Sequence, residues 1–298
     1  MDTFSNQFIN GLSLGSIYAL IALGYTMVYG IVKLINFAHG DVMMIGAYVG
    51  YYILKSVGPN PLGFVLALLA SMTTCGLLSL VIERFAYRPL RNAPRLNSLI
   101  TAIAVELILQ NGMRVLPFAG PTPRSFPTMP VKKIQLFNGG VEISSIQIIV
   151  ILLSLLMMII LSLIINHTKT GKAMRAVSYD LGASSLMGVN VNKTIAITFV
   201  IGSVLAGAGG ILYASCYPKI EPTMGYIPGL KAFVAAVLGG IGSIPGAMVG
   251  GVLLGIIETM TKAYISSQYA DAITYSILII ILLVKPAGLL GKKQRVKV

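Results

Sequence analysis

Asn36, His39 and Asp41 lie close together within the largely apolar residues 31–50. Ionisable groups at membrane depth are costly, and they usually face a cavity or a partner. His39 could relay protons, bind a metal or form a structural hydrogen bond, whereas Asn36 or Asp41 could cap the helix that follows. If that helix begins within the membrane, its free N–H groups would favour a carboxylate. The substrate-pathway residues predicted on this stretch are Asn36, Phe37, His39, Gly40 and Asp41.

A second candidate stretch, "VLGGIGSIPGAMVGG" at 237–251, joins two apolar runs through glycines, a serine and a proline. Pro245 lacks an N–H group, and glycine permits positive φ and close approach of backbones. Broken helices near the middle of the membrane hold the substrate in many transporters. A simple cytoplasmic turn explains the same pattern, so both interpretations stay open. The pathway residues predicted here are Gly239, Gly240, Gly242 and Ser243.

Three further ionisable residues, Glu106, Glu258 and Lys262, fall inside apolar runs. Glu258 and Lys262 are four positions apart, so one face of a helix can hold them as an ion pair. The alternative is that Asp41, Glu106 or Glu258 carries protons in a secondary transporter or channel that works without ATP.

The sequence lacks the usual motifs of catalysis and nucleotide binding. Residues 170–174, "TGKAM", contain a Gly–Lys pair without the upstream glycine and following hydroxyl of a phosphate loop. H-E-x-x-H does not occur, and the single G-x-S-x-G match, at residues 11–15, lies inside an apolar run. The two histidines, His39 and His167, are far apart in sequence with no cysteine near them, so we expect no metal site. We expect a chain that is not an enzyme and that holds no cofactor.

The composition indicates that lipid is the solvent for most of the surface. The chain is 56% hydrophobic and 10% charged, whereas soluble domains are about 25% charged. Apolar segments of about 20 residues must be helical to satisfy their backbone groups in lipid. The predicted spans are 8–31, 38–54, 62–84, 98–116, 146–166, 194–216, 229–243, 246–265 and 272–285.

These spans predict an all-α fold, a polytopic membrane bundle of about eight to ten transmembrane helices. One permease domain would cover residues 1–298, with a broken or re-entrant helix near 229–250. The first ten residues have no basic region before the apolar run, so we expect a retained helix and no signal peptide.

Lysine and arginine predict the orientation of the bundle. The loop 84–97, the segment 168–193 and the tail 285–297 are basic, which places them in the cytoplasm. The formal net charge of +13 therefore indicates topology and not binding to nucleic acid. The loop 117–145 would be external, against the basic residues it contains, with the N-terminus periplasmic and the C-terminus cytoplasmic.

The segment 168–193, "TKTGKAMRAVSYDLGASSLMGVNVNK", is too short and polar to span the membrane. Met174, Val177 and Leu181 would share one apolar face, and Asp180 and Gly188 could begin and end a short helix. A short amphipathic helix could bind lipid headgroups or a groove on a partner protein, and the modest charge favours the partner.

Three stretches resemble the H-type permease subunits of branched-chain amino acid ABC importers. They are "NGLSLGSIYALIALGYTMVYGIVKLINFAHGDVMMIGAYVG" (10–50), "GKAMRAVSYDLGASSLMGVNV" (171–191) and "AAVLGGIGSIPGAMVGGVLLGIIE" (235–258). The first is specific to this branch, and the third is shared with sugar permeases. Other ABC importers carry a Glu-Ala-Ala pattern in the second stretch, where this chain has Asp180 in place of the glutamate.

The resemblance implies a multi-pass protein of the bacterial inner membrane that passes branched-chain or similar small amino acids. It also implies four kinds of partner: a second permease, two cytoplasmic ATPase subunits that bind the ATP, a periplasmic substrate-binding protein and the lipid bilayer. The cytoplasmic loop would dock on the ATPase. The coupling residues that follow from the resemblance are Gly171, Arg175, Asp180, Ala183, Leu186 and Gly188.

Overall fold

Apolar α-helices make up most of the chain. A computed structural model describes residues 2–33, 36–91, 93–136 and 141–291, and these contain eleven α-helices and four short strands. The helices are α1 Asp2–Val32, α2 His39–Val57, α3 Pro61–Ile82, α4 Arg95–Val115, α5 Ser145–His167, α6 Lys169–Tyr179, α7 Leu181–Leu186, α8 Val191–Cys216, α9 Tyr226–Gly239, α10 Ile244–Tyr264 and α11 Ala270–Val284. The predicted all-α class is confirmed, because each predicted span coincides with a helix.

Within the described residues, six helices are long and apolar enough to cross a membrane, namely α1, α3, α4, α5, α8 and α10. A π-helical turn, Glu83–Tyr87, and a 3-10 turn, Arg88–Leu90, extend α3. Helices α9 and α11 have 14 and 15 residues. Because a straight helix needs about 20 residues to cross the hydrocarbon core, neither crosses it alone. The chain is therefore a multi-pass bundle that includes short helices.

Polar side chains begin several of the helices by accepting hydrogen bonds from free N–H groups. Asn60 accepts one from the Gly63 N–H at 2.7 Å before α3, where Pro61 occupies the first helical position. Ser144 and Gln147 form a capping box at the start of α5. Such caps satisfy donors that would otherwise be unpaired in an apolar surrounding.

Small residues allow α1 and α10 to pack backbone to backbone at the centre of the bundle. A Cβ atom at Gly15 would lie 2.7 Å from the Val252 Cα, and one at Gly251 would overlap the backbone of Ala19. The helix α1 is buried on nearly all sides in its middle turns. Close packing replaces the hydrophobic effect as the force between helices in lipid.

Helices α3, α4 and α5 present an apolar surface outward. Their exposed side chains include Leu66, Leu69, Leu77, Ile103, Leu107, Ile108, Leu152, Leu156 and Ile160. Exposed apolar surface of this extent mediates contact with a membrane or a partner. In a multi-pass bundle, such a surface is available to lipid or to another membrane subunit.

One end of the bundle carries all four strands, and we call it the hairpin end. The strand β1 (Arg124–Ser125) pairs with β4 (Lys219–Ile220), and β2 (Lys133–Leu136) pairs with β3 (Val141–Ser144), both antiparallel. Helices α1 and α5 begin at this end, and α8 and α10 finish there. The Asn6 side chain accepts a hydrogen bond of 2.9 Å from the Glu142 N–H, which ties α1 to the hairpin.

At the other end, the chain after α11 folds back on the end of α9. The Leu289 N–H donates to the Leu238 carbonyl and the Leu290 N–H to the Gly239 carbonyl, each at 2.9 Å. We call residues 285–291 the C-terminal strap. The strap satisfies two carbonyls that the end of a helix otherwise leaves unpaired.

Candidate functional site

The start of α2 is held by side chains from other helices. Asn36 accepts a hydrogen bond of 2.7 Å from the Tyr87 hydroxyl. Asp41 accepts two from the Gln110 amide, at 3.2 and 3.3 Å. The N-cap of α2 is Ala38, which makes no side-chain cap. The suggestion that Asn36 or Asp41 caps α2 is therefore wrong, because both side chains bond to other elements instead.

His39 is buried against the middle of the bundle. Its ring packs edge-on against Tyr25 with the centroids 4.8 Å apart. A Cβ atom at Gly24 would overlap the imidazole, so glycine is needed for this approach. Among the described residues, no group of three His, Cys, Asp or Glu side chains could hold a metal ion. The geometry fits a packing role for the ring.

The glycine-rich stretch forms a turn between α9 and α10. Gly240 and Gly242 adopt φ of 107° and 91°, a conformation that favours glycine. The Ser243 hydroxyl accepts a hydrogen bond of 3.2 Å from the Gly246 N–H and so caps α10. A Cβ atom at Gly239 would overlap the Gly246 carbonyl. The chain thus reverses direction here with the two helices in contact.

The two predicted pathway stretches lie beside each other. Phe37 and Phe233 have ring centroids 6.0 Å apart, and Phe233 also packs edge-on against Tyr25 at 5.9 Å. A Cβ atom at Gly30 would lie 3.3 Å from the Gly242 Cα. An aromatic cluster of Tyr25, Phe37 and Phe233 therefore joins the start of α2 to α9 near the α9–α10 turn.

Gly40 marks a crossing of α2 and α9. A Cβ atom on Gly40 would overlap the Gly225 carbonyl and would lie 3.0 Å from the Gly229 Cα. Each helix begins at this crossing, which places two helix N-termini within the bundle. Only glycine allows backbones to approach this closely.

Asp41 and Glu106 share one donor. The Gln110 amide donates to both carboxylates, with 3.4 Å to the Glu106 Oε1. Neither carboxylate belongs to an ion pair within the described ranges. Gln110 was not predicted as a site residue, because its contact with Asp41 spans 69 positions of sequence.

A buried ionic cluster joins four helices around Glu258. Glu258 accepts from Lys262 at 2.5 Å and from Lys231 at 2.7 Å, and the Tyr18 hydroxyl donates to it at 2.9 Å. Lys231 also contacts Asp271 at 2.8 Å. The predicted Glu258–Lys262 pair is confirmed. Lys231 was missed, although a lysine within a predicted span was signal enough to find it.

The segment 168–193 forms the two helices α6 and α7. The Thr168 hydroxyl accepts from the Gly171 N–H at 3.1 Å to begin α6, and Asp180 accepts from the Ala183 N–H at 2.9 Å to begin α7. Gly188 has a φ of 82° and follows α7. The prediction that Asp180 and Gly188 bound a short helix is confirmed.

The predicted apolar face of this segment is partly wrong. Met174 and Val177 are buried, as predicted, but Leu181 is 52% exposed because it lies in α7, past the break at Asp180. Gly171 packs on the end of α5, and Arg175 donates to the Ile165 carbonyl. These contacts attach the segment to the bundle.

Three large side chains at or just after the ends of α6 and α7 point away from the bundle. Tyr179 is 90% exposed, Leu186 89% and Met187 84%. We call these three residues the coupling surface. Leu186 was among the predicted coupling residues, and Tyr179 and Met187 were not, although apolar residues in a polar segment could have indicated them.

Comparison with known proteins gives a consistent result. A family model described as "Branched-chain amino acid transport system / permease component" matches residues 7–282. The chain is 42% identical over 310 residues to the high-affinity branched-chain amino acid transport system permease protein LivH of Escherichia coli K12, which covers 99% of this chain and 98% of that protein.

The high-affinity permease protein BraD of Pseudomonas aeruginosa PAO1 is 43% identical over 303 residues, with 99% and 98% coverage. The ribose import permease protein RbsC of Escherichia coli K12 is 29% identical over 123 residues, 39% of this chain and 38% of that protein. No solved structure matches the chain significantly.

Proposed function

We propose, on the premise that this chain belongs to the family of permease components of branched-chain amino acid transport systems, that it is the membrane-spanning permease subunit of an ABC importer. It would pass branched-chain or similar small amino acids across the bacterial inner membrane. The observation that supports transport driven by partner ATPase subunits is the coupling surface. A water-exposed apolar surface on a short, capped helix fits the groove of a partner protein.

The proposed assembly contains a second permease, two cytoplasmic ATPase subunits and a periplasmic substrate-binding protein. ATP would bind to the ATPase subunits, and this chain would contribute neither catalysis nor a cofactor. The whole chain would act as one permease domain. The segment 168–193 and the C-terminus would face the cytoplasm, and the N-terminus and the loop 117–145 would face the periplasm. Closure of the ATPase pair would move α7 and switch the permeases between outward and inward states.

The proposed pathway passes the two predicted stretches. The start of α2, with Asn36, Phe37 and His39, lies against α9, and the α9–α10 turn lies close to the end of α1. Small residues at these crossings would let helices slide against each other with little change in packing.

Uptake of labelled leucine into vesicles tests the proposal. Vesicles that contain the chain, its permease partner and the ATPase subunits should accumulate leucine only with ATP and the binding protein present. The rival function is a proton-coupled carrier that uses Asp41, Glu106 or Glu258. Uptake by the chain alone, driven by a pH gradient without ATP, would establish the rival and defeat the proposal.

A charge placed on the coupling surface should separate the permease from the ATPase. The substitutions Leu186→Glu and Met187→Glu put a carboxylate where an apolar side chain would be desolvated on docking. We expect each to weaken ATPase binding by at least about tenfold, because an unpaired buried charge costs several kcal/mol. Co-purification of the ATPase and ATP-driven uptake should both fall.

The matched control is Gln268→Glu, which adds the same carboxylate to an exposed position in the loop between α10 and α11 at the hairpin end. It should leave ATPase binding and uptake unchanged. Full co-purification of the ATPase with both the Leu186→Glu and the Met187→Glu variants would show that this surface does not couple the subunits.

A further inference from the structure

A cavity of about 600 Å³ opens at the hairpin end of the bundle. It lies where α1 and α5 begin and where α8 and α10 end, beneath the loop that carries the strands. We call it the outer cavity. Its volume falls within the range of about 300–1,000 Å³ that is typical of small-molecule sites. Neither the start of α2 nor the α9–α10 turn lines it, so it is separate from the stretches discussed above.

The outer cavity contains features that attract a carboxylate. Lys262 lines it and is partly exposed, and its contact with Glu258 leaves other N–H donors free. Ile146 and Gln147, in the first turn of the long helix α5, also line it. The N-terminus of a helix carries partial positive charge. The N–H groups of this first turn are already paired in the capping box and with the Lys132 carbonyl, so the direct donor to an anionic group is Lys262.

The same cavity contains features that attract an ammonium group. Ser215 and Cys216, in the last turn of α8, and Ala263, in the last turn of α10, line it. The C-terminal end of a helix carries partial negative charge and free carbonyl oxygens. Both ends of a zwitterion can therefore be accommodated.

Aliphatic side chains complete the lining. Leu14, Ile17 and Ile146 are buried in the bundle core and border the cavity. A zwitterionic ligand with a branched aliphatic side chain matches this combination. A purely apolar or a purely anionic ligand would leave one of these features unused.

We propose that the outer cavity binds a free α-amino acid with an aliphatic side chain, as a waiting site on the substrate's route into the permease. This inference rests on the proposed function, because it takes the substrate class from it. The carboxylate would lie at Lys262, and the side chain at Leu14 and Ile146.

A cysteine already present can report occupancy. Cys216 lines the cavity, whereas Cys75 is fully buried, so a small methanethiosulfonate reagent should modify Cys216 first. The experiment uses the complete permease–ATPase complex in nanodiscs, without ATP or binding protein, and measures the modification rate by mass spectrometry. The Cys216→Ser variant confirms the assignment of the modified thiol.

Leucine should slow the modification of Cys216 in a saturable way. Leucinamide, which lacks the carboxylate, and 4-methylpentanoate, which lacks the ammonium group, should protect at least about tenfold less well, since each loses a charge-assisted hydrogen bond. Lys262→Met should raise the leucine concentration for half-protection by a similar factor. The exposed-lysine control Lys133→Met should protect like the unmodified complex, and Lys262→Arg, which keeps the positive charge, should protect better than Lys262→Met.

Binding of tritiated leucine to the Cys216→Ser complex gives a second readout that does not depend on thiol reactivity. If leucine neither binds nor protects while the complex still carries out ATP-driven uptake, the waiting site is refuted and the proposed function stands. If protection is present but Lys262→Met binds leucine as tightly as the unmodified complex, the assignment of the carboxylate is refuted. Absence of ATP-driven uptake would count against the proposed function separately.

Discussion

Adding one methyl group at Gly251 is expected to destabilise the folded chain by about 2–3 kcal/mol, near the upper end for an overpacked core. A Cβ atom at this position would overlap the backbone N and Cα of Ala19 in α1. Backbone atoms cannot move aside as the end of a flexible side chain can, so α1 and α10 must separate along their contact. The measurement is the melting temperature of purified Gly251→Ala in nanodiscs.

Gly112→Ala provides the matched control. This glycine lies in α4, and an added Cβ atom would meet nothing within 4 Å. The same methyl group should there stabilise the chain by up to about 1 kcal/mol, because alanine favours a helix more than glycine does. Equal melting temperatures for the two variants would show that the contact between α1 and α10 does not depend on the absence of a side chain.

The second large effect is expected at the ionic cluster. Glu258→Met leaves the Lys231 ammonium, which is buried, with Asp271 as its one remaining ion-pair partner among the described residues. Removing one member of a buried ion pair costs about 3–5 kcal/mol, because the other charge stays desolvated. Lys231→Met should cost less, since Glu258 keeps Lys262 and Tyr18.

The double variant Lys231→Met/Glu258→Met tests whether the loss of stability comes from the unpaired buried charge. It removes both buried charges and replaces them by apolar side chains of similar length, so it should recover most of the stability that Glu258→Met loses. Lys133→Met, which breaks an exposed pair with Glu142, should leave the melting temperature unchanged. Additive losses in the double variant would mean that the two side chains do not act as a pair.

Helix positions could be predicted because lipid imposes a strong requirement on sequence. An apolar run of sufficient length must be helical, and so even the short helices α9 and α11 coincide with predicted spans. The contacts between side chains on different helices could not be predicted. Lys231 meets Glu258 across 27 positions, and Tyr87 meets Asn36 across 51. Such contacts depend on how helices pack, which local pattern does not determine.

Local sequence rules predicted α7 correctly but failed at the break between α6 and α7. Asp180 and Gly188 have the side chain and the backbone freedom that begin and end a helix, so α7 was predictable. The helical spacing that linked Leu181 to Met174 and Val177 assumed one continuous helix. Asp180 has an extended backbone and caps a new helix. The helical spacing of α6 therefore does not continue into α7.

The C-terminal strap connects the end of α11 directly to the α9–α10 turn. Its two hydrogen bonds reach Leu238 and Gly239, and a Cβ atom at Gly240 would lie 2.5 Å from the Gly291 nitrogen. Any displacement of that turn must therefore pull on the chain at Gly291 or break these bonds. A fluorophore attached just after Gly291 would therefore report movement of the turn. A fusion partner joined at that point would restrict this movement.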